Sequence, residues 1–449
     1  MVIKRLRGTL SVLLVVTAVG FGNKIELSLS PSGFGSFELG QIMDADSLTI
    51  FTGGNYQVNH LLFQRFYAGL NLKVDYEGLP VTTNLEVVLK SFSETPRKNK
   101  VFDDNGLGVR FFYFFFLSRM DFVYSLGDVF NLGVGYFPVK YNRDAYNLGE
   151  YLFRSGTYPQ YLTTNFDYPL ARVTGLNAFG ILPFGLGYQA LLTINTEGAT
   201  MGDLNFSLLA SGSLFDSLID LGGGISFCNF FSANSRHTRP PVEDVQGNLA
   251  ALYIDDDGDT ATYTFAGTKL MARVAFDPKV LFSSDIFGKE DLRLFAEVAI
   301  LGVKNYPVSI DTSTLGTCYD NVLERMPVMF GINIPTFKLL DVLSVQAQWF
   351  GSRYPNDATN YVLYGLPTPV SSKWSDGSNC IYPDSTEDDW KWSVYAKKTL
   401  FDHFSVVGQI ASDHQRWDKF SYGDQVYMLN EALTRPDQYY YVVKLGFSF

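Results

Sequence analysis

The chain of 449 residues carries a formal charge of −11 at pH 7 and is rich in aromatics, with 38 Phe and 27 Tyr. The acidic balance excludes a basic nucleic-acid-binding surface as its main feature, and no stretch reaches the roughly 18 consecutive apolar residues of a membrane-spanning helix. Only 18 % of residues are charged, low for a soluble protein of a length that would ordinarily split into about two or three domains.

The N-terminus holds the longest apolar run. Lys4, Arg5 and Arg7 precede Leu10 to Val19, and Ala18 and Gly20 are small residues suited to a cleavage site. This reads as a secretory leader over residues 1–20, too short to span a membrane, followed by the mature body at 21–449. No Cys follows the run, so the leader is not of the lipoprotein kind.

Beyond the leader, period-two alternation dominates. In 62–77, Leu62, Phe66, Ala68, Leu70, Leu72, Val74 and Tyr76 share one face, and Arg65, Asn71, Lys73, Asp75 and Glu77 share the other. A helix would scatter both sets, whereas a strand sorts them. The pattern predicts about sixteen strands: 33–42, 61–77, 81–93, 108–124, 129–138, 168–179, 184–196, 203–213, 218–230, 261–277, 291–304, 326–336, 342–353, 389–399, 403–413 and 438–449. The connections alternate between short turns such as 78–80, 125–128 and 213–217 and long segments such as 43–60, 94–107, 139–167 and 231–260. That is the rhythm of a transmembrane antiparallel β-barrel, with periplasmic turns, outer loops and an even strand number. Segment 197–202 is short for an outer loop and 278–290 long for a turn, so 14 or 18 strands stay open. Tyr67, Tyr76, Phe122, Tyr124, Trp390, Trp392 and Tyr439 are candidates for the interfacial aromatic girdles.

Strand parity also yields a census of the inner wall. Arg65, Lys73, Lys90, Arg119, Lys269, Arg273, Arg293, Lys391, Lys397 and Lys444 fall on polar faces, as do Asp75, Glu77, Glu86, Asp121, Glu297 and Asp413. The bases outnumber the acids there, which predicts a weak anion preference although the whole chain is negative. Many acids lie instead in the long connections, including Asp255, Asp256, Asp257 and Asp259.

The third long connection, 139–167, follows NLGVGYF and begins just after Pro138. It mixes apolar anchors (Tyr146, Leu148, Tyr151, Leu152, Phe153, Tyr161) with Lys140, Arg143, Asp144, Glu150 and Arg154. An exposed loop would not favour those anchors. The segment either folds into the barrel as a constriction, where its charges would filter ions, or packs over the mouth as a lid.

Smaller signals have bland alternatives. IDDDGDT at 254–260 has the oxygen-rich look of a calcium loop but lacks EF-hand spacing, so a solvated loop tip or a lipopolysaccharide-facing cation bridge is the simpler reading. Cys318 and Cys380 fall in neighbouring outer loops and can pair; Cys228 reads as a small strand residue. Asp413 and His414 are adjacent, so on a strand they face opposite ways and make a poor catalytic pair. No catalytic constellation, metal set or cofactor is indicated.

The chain ends in QYYYVVKLGFSF. Tyr439, Tyr441, Val443, Leu445, Phe447 and Phe449 form one face of this segment, and Tyr440, Val442, Lys444, Gly446 and Ser448 the other. The pattern resembles the closing strand of Gram-negative outer-membrane β-barrels, and the third connection resembles the pore-narrowing loop of porins in its position and its strand-then-Pro start. The resemblance implies residence in the cell outer membrane among lipid and lipopolysaccharide. It also implies recognition of Phe449 by the barrel assembly machinery, a homotrimer, and passive diffusion of small hydrophilic solutes without enzymatic activity. A plugged active transporter is not expected, because only a short segment separates the leader from the first strand. The rival class is a barrel-anchored adhesion or interaction protein acting through its long outer loops.

Overall fold

Alternating side chains in this chain drive the backbone into strands that must find partners on both sides, and the sheet meets that demand by closing on itself. The computed structural model describes residues 27–43, 48–51, 55–58, 60–97, 110–154, 171–196, 202–231, 252–254, 260–262, 267–282, 285–303, 322–351, 389–413, 420–422, 425–427 and 435–449. The barrel strands are β1 (Leu27–Ile42), β2 (His60–Tyr76), β3 (Val81–Arg97), β4 (Arg110–Ser125), β5 (Asn131–Val139), β6 (Ala171–Ile181), β7 (Gly187–Ile194) and β8 (Leu204–Leu214). They continue as β9 (Ile219–Phe231), β10 (Gly267–Phe276), β11 (Leu294–Leu301), β12 (Val328–Asn333), β13 (Val342–Trp349), β14 (Trp390–Leu400), β15 (Phe404–Ser412) and β16 (Tyr440–Ser448). Each pairs antiparallel with its sequence neighbours, and β16 returns to β1 to close the barrel. Among the described residues, short hairpins lie in the connections after β1, β9 and β15.

All sixteen expected strands are present. Among the described residues the two irregular connections hold no further barrel strand, and β7 pairs directly with β8 and β10 with β11. The long turn between β10 and β11 is shaped instead by a 3-10 turn at Pro278–Leu281 and by Asp291. The buried Asp291 carboxylate accepts from the backbone N–H groups of Gly288 (2.7 Å) and Phe337 (3.0 Å), so it ties this turn to the one between β12 and β13.

Side chains sort by face. Tyr441, Val443, Leu445 and Phe447 point outward and are exposed, while Tyr440 and Val442 point inward and are buried. The same outward exposure of large apolar groups recurs on the other strands, for example Phe66, Leu70, Phe122, Leu208, Val274, Phe330 and Ile410. Burying each such group is worth roughly 1.5–3 kcal/mol, so a continuous outer belt of them demands a hydrocarbon surrounding. A closed barrel meets the second demand of that surrounding, since no backbone edge faces lipid within the belt. Tyr67 departs from the expected girdle: it shares the parity of Arg65 and is buried on the inner face.

Strand β1 starts six residues before its predicted beginning at 33, at Leu27. Its first part pairs only with β2 among the described residues. Gly33 exchanges backbone hydrogen bonds with Phe449 (3.0 and 2.9 Å). The nitrogen of Pro31, two residues earlier, therefore points along the same edge, beyond the last residue of β16. A missing N–H costs nothing there. The expected leader at 1–20, Cys318, Cys380, His414 and the acidic run 255–259 lie outside the described residues.

Candidate functional site

After Val139 the chain lies against the inner face of the wall formed by β9–β15. Glu297 on β11 is the centre of this contact. Its carboxylate accepts from Tyr141 Oη (2.6 Å), Asn142 Nδ2 (2.6 Å), Glu150 N (3.1 Å) and Tyr151 N (2.9 Å). Hydrogen bonds to a charged acceptor are worth about 1.5–3 kcal/mol each, so four donors hold this buried carboxylate with no ion pair among the described residues. Burial, followed by the carboxylates of Glu297 and Glu150, pushes the Tyr141 phenol well above its ordinary value. It therefore stays protonated and keeps donating.

Four further attachments fix the segment. Gln346 on β13 accepts from the N–H groups of Asn147 and Leu148 (both 3.1 Å) and donates to the Asp144 carbonyl (2.9 Å). Asp413 accepts from Asn147 Nδ2 (2.6 Å) and Tyr440 Oη (2.8 Å). Arg293, at the foot of β11, pairs with Asp144 at 2.6 Å and with Asp220 on β9. The ring of Tyr146 stacks on Tyr395 of β14 with centroids 5.1 Å apart.

Apolar packing completes the attachment. The single helical turn α1 (Tyr151–Arg154) and the residues before it place Leu148, Tyr151, Leu152 and Phe153 into one buried cluster. The cluster includes Phe137 and Val139 of β5, Leu191 of β7, Met271 of β10, Phe295 of β11 and Met329 of β12. These wall residues all point inward, so that side of the interior is a dry core. Gly149 allows the close approach: it has φ +94°, and a Cβ there would meet Met329 Cε at 2.8 Å and Glu297 Oε2 at 3.1 Å. The charged and amide anchors are widely separated in sequence, and only barrel closure brings them together.

The residues singled out from the sequence divide into three groups. Of the loop charges, Lys140 and Arg143 are exposed, Asp144 and Glu150 are buried in hydrogen bonds and ion pairs, and the Arg154 side chain lies outside the described residues. Glu150 accepts from the N–H groups of Tyr141 (3.1 Å) and Asn142, so it stabilises the loop's own turn. On the wall, Lys269, Arg293 and Glu297 are buried against the segment; Lys269 Nζ lies 3.4 Å from the Leu152 carbonyl. Lys391 is buried on β14, and Arg273 is half-buried beside Glu297 on β10. The strip β16, β1, β2, β3 and β4 carries Lys444, Arg65, Lys73, Asp75, Glu86, Lys90, Arg119 and Asp121 on its inner face. Here Arg65 and Lys90 are buried, and Lys90 Nζ stands 5.5 Å from the Tyr67 ring centroid. Phe449 lies over Gly33 at the seam.

Sequence reasoning missed Glu38, Tyr141, Asn142, Asn147, Gln346 and Gln348 as members of this interior. Glu38 sits between the exposed Phe37 and Leu39 in SFELG, so strand parity was the signal that could have placed it on the inner face. The uncharged loop residues carried no comparable signal. Tyr151 donates to Gln348 at 2.8 Å, a pairing that no pattern within either segment encodes.

The architecture defines a sixteen-stranded transmembrane β-barrel with a long connection held across part of its inner wall. It is similar to OmpF of Salmonella typhi in complex with daunomycin, with TM-score 0.45 and 11 % identity over 94 % of this chain and 98 % of that one. It is also similar to OprB of Pseudomonas putida, with TM-score 0.43 and 9 % identity over 94 % and 92 % of the two chains. A Rh. blastica porin mutant gives TM-score 0.42 and 10 % identity over 94 % and 100 %. No family model matches the sequence, and no curated protein matches it.

Proposed function

We propose that the protein is an outer-membrane porin through which small hydrophilic solutes diffuse passively, with a weak preference for anions. Residues 140–154 act as the constriction rather than as a lid. The observation that carries this reading is the anchoring of that segment on Glu297, Gln346 and Arg293, inner-facing groups below the loop end of the barrel, with Asp413 at the loop end of β15 as a further support. A lid would rest on the rim. Size exclusion then follows from the gap between the anchored segment and the uncovered wall, and charge filtering from the cations Lys140 and Arg143, which remain exposed on the segment.

The same reading takes residues 1–20 as a cleaved leader, Phe449 as the signal to the assembly machinery, and the assembled state as a homotrimer in lipid and lipopolysaccharide. Liposome swelling with sugars, amino acids and phosphate of increasing size tests the core of the proposal. Swelling that falls off with solute size is expected. Liposomes that contain folded protein and do not swell would leave surface interaction through the outer loops as the better account.

A further inference from the structure

Among the described residues the anchored segment covers only part of the wall, and the strip it does not touch has its own charge arrangement. On the inner face of β16 and β1–β4, three ion pairs among the described residues share one arrangement. In each the base is the more exposed partner: Lys444 against Glu38 (side chains 32 % and 2 % exposed), Arg119 against Asp121 (31 % and 3 %) and Lys73 against Asp75 (50 % and 38 %). The loop-side pair Arg293–Asp144 differs, with both side chains 1 % exposed.

The wall itself holds the acids back. Asn84 donates to Asp121 (3.1 Å) and Thr82 donates to Asp75 (2.6 Å). Lys73 and Asp121 share a rung through Asn84, while Lys444 and Arg65 flank Glu38 on another. The arrangement is thereby oriented: the Glu38 and Asp121 carboxylates lie behind the Lys444 ammonium and the Arg119 guanidinium, and Asp75, itself accessible, is less exposed than Lys73. A lysine has three N–H donors and an arginine five, more than one carboxylate takes up, so the front layer can also hydrogen-bond a passing oxyanion.

We infer that this strip is the selectivity surface of the pore, and that Lys73, Arg119 and Lys444 favour small solutes bearing a carboxylate or phosphate. The inference rests on the channel reading and adds the substrate class and the residues that set it. The acids Asp75, Asp121 and Glu38 are positioning residues that hold the cations in place.

The test uses the full-length protein in planar bilayers under a potassium chloride gradient, followed by potassium acetate and potassium phosphate. Wild type, Lys73→Gln, Arg119→Gln, Lys444→Gln, the triple variant and Lys398→Gln are compared. Lys398 lies on the outward face of β14 near its short-turn end, where Nζ donates to the Lys338 carbonyl at 2.9 Å, and serves as the control. Each inner variant is expected to lower the anion-to-cation permeability ratio, and the triple variant to lower it by about twofold or more. The control should leave the ratio unchanged. The single variants change one partly exposed side chain each, so they report even if the triple variant does not fold. Acetate and phosphate separate a carboxylate preference from a phosphate preference. A conducting wild type whose triple variant keeps the same ratio, or a wild type that favours cations, overturns this inference and leaves the channel reading standing. A folded wild type that does not conduct removes the channel reading itself.

Discussion

Arg293 shows how much one buried side chain can decide here. It holds Asp144 of the loop and Asp220 of β9 at once, with almost no access to solvent. Replacing it with Met leaves the buried Asp144 with only the exposed Arg143 at 4.0 Å, and breaking a buried pair in this way costs about 3–5 kcal/mol. Arg293→Met is therefore expected to lower the urea midpoint of the folded barrel in detergent and to give noisier single-channel currents as the loop loosens. An unchanged midpoint would show that the pair does not hold the loop. Phe401 makes a different point. It sits in a tight turn at φ +54°, followed by Asp402 at +61°, and its ring is highly exposed. Left-handed backbone costs a non-glycine residue roughly 1–2 kcal/mol, while immersing the ring in lipid returns roughly 1.5–3 kcal/mol. The ring is thus worth keeping despite the strain, and Phe215 and Phe337 repeat the arrangement in other short turns. Phe401→Ala should destabilise the barrel in lipid, and Phe401→Gly should do so by about 1 kcal/mol less because the glycine relieves the backbone. Equal losses in lipid-refolding titrations would argue against stored strain.

The β1–β16 seam is the element that turns a sheet into a barrel. Nine residues pair across it, from Phe34–Ser448 to Ile42–Tyr440. The rings of Phe447 and Phe449 lie over Gly35 and Gly33 on the outer face, where a Cβ would collide with them. Gly35→Val should push the Phe447 ring off the seam, costing about 1–3 kcal/mol as overpacking does. The folded species would then unfold at a lower temperature in heat-modifiability electrophoresis. Gly408 on β15 has nothing within 4 Å of its would-be Cβ, so Gly408→Ala should leave that temperature unchanged or raise it. Matching behaviour of the two variants would remove the seam from the account. The early start of β1 belongs to the same scale. Pro31 and the serines around it mask the alternation in the sequence. The strand forms because β2 supplies one complete ladder and the proline nitrogen lies on the edge that β16 no longer reaches.

Across the whole molecule, the loop and the wall divide the interior into a packed side and an uncovered strip. Replacing residues 141–153 with a short Gly–Ser linker should raise single-channel conductance. It should also destabilise the barrel, because Leu191, Met271, Phe295 and Met329 would lose their apolar cover. Conductance equal to wild type would place the segment outside the permeation path.

The strand count, the outward apolar faces and the alternation of turns with long connections were legible in the sequence. Each depends on period-two patterning within one segment, a local property of the chain. The anchored segment was legible only as a composition, apolar groups and charges together where a loop should be polar. Its charges looked alike in sequence, yet Asp144 and Glu150 became buried supports while Lys140 and Arg143 stayed exposed. Burial of that kind depends on which groups meet across the barrel, and Glu297 lies more than a hundred residues from the donors that surround it. The sequence by itself thus determined a membrane barrel and the inner and outer faces of its strands. Tertiary structure decided which charges look into the lumen, because that depends on closure and on where one loop comes to rest.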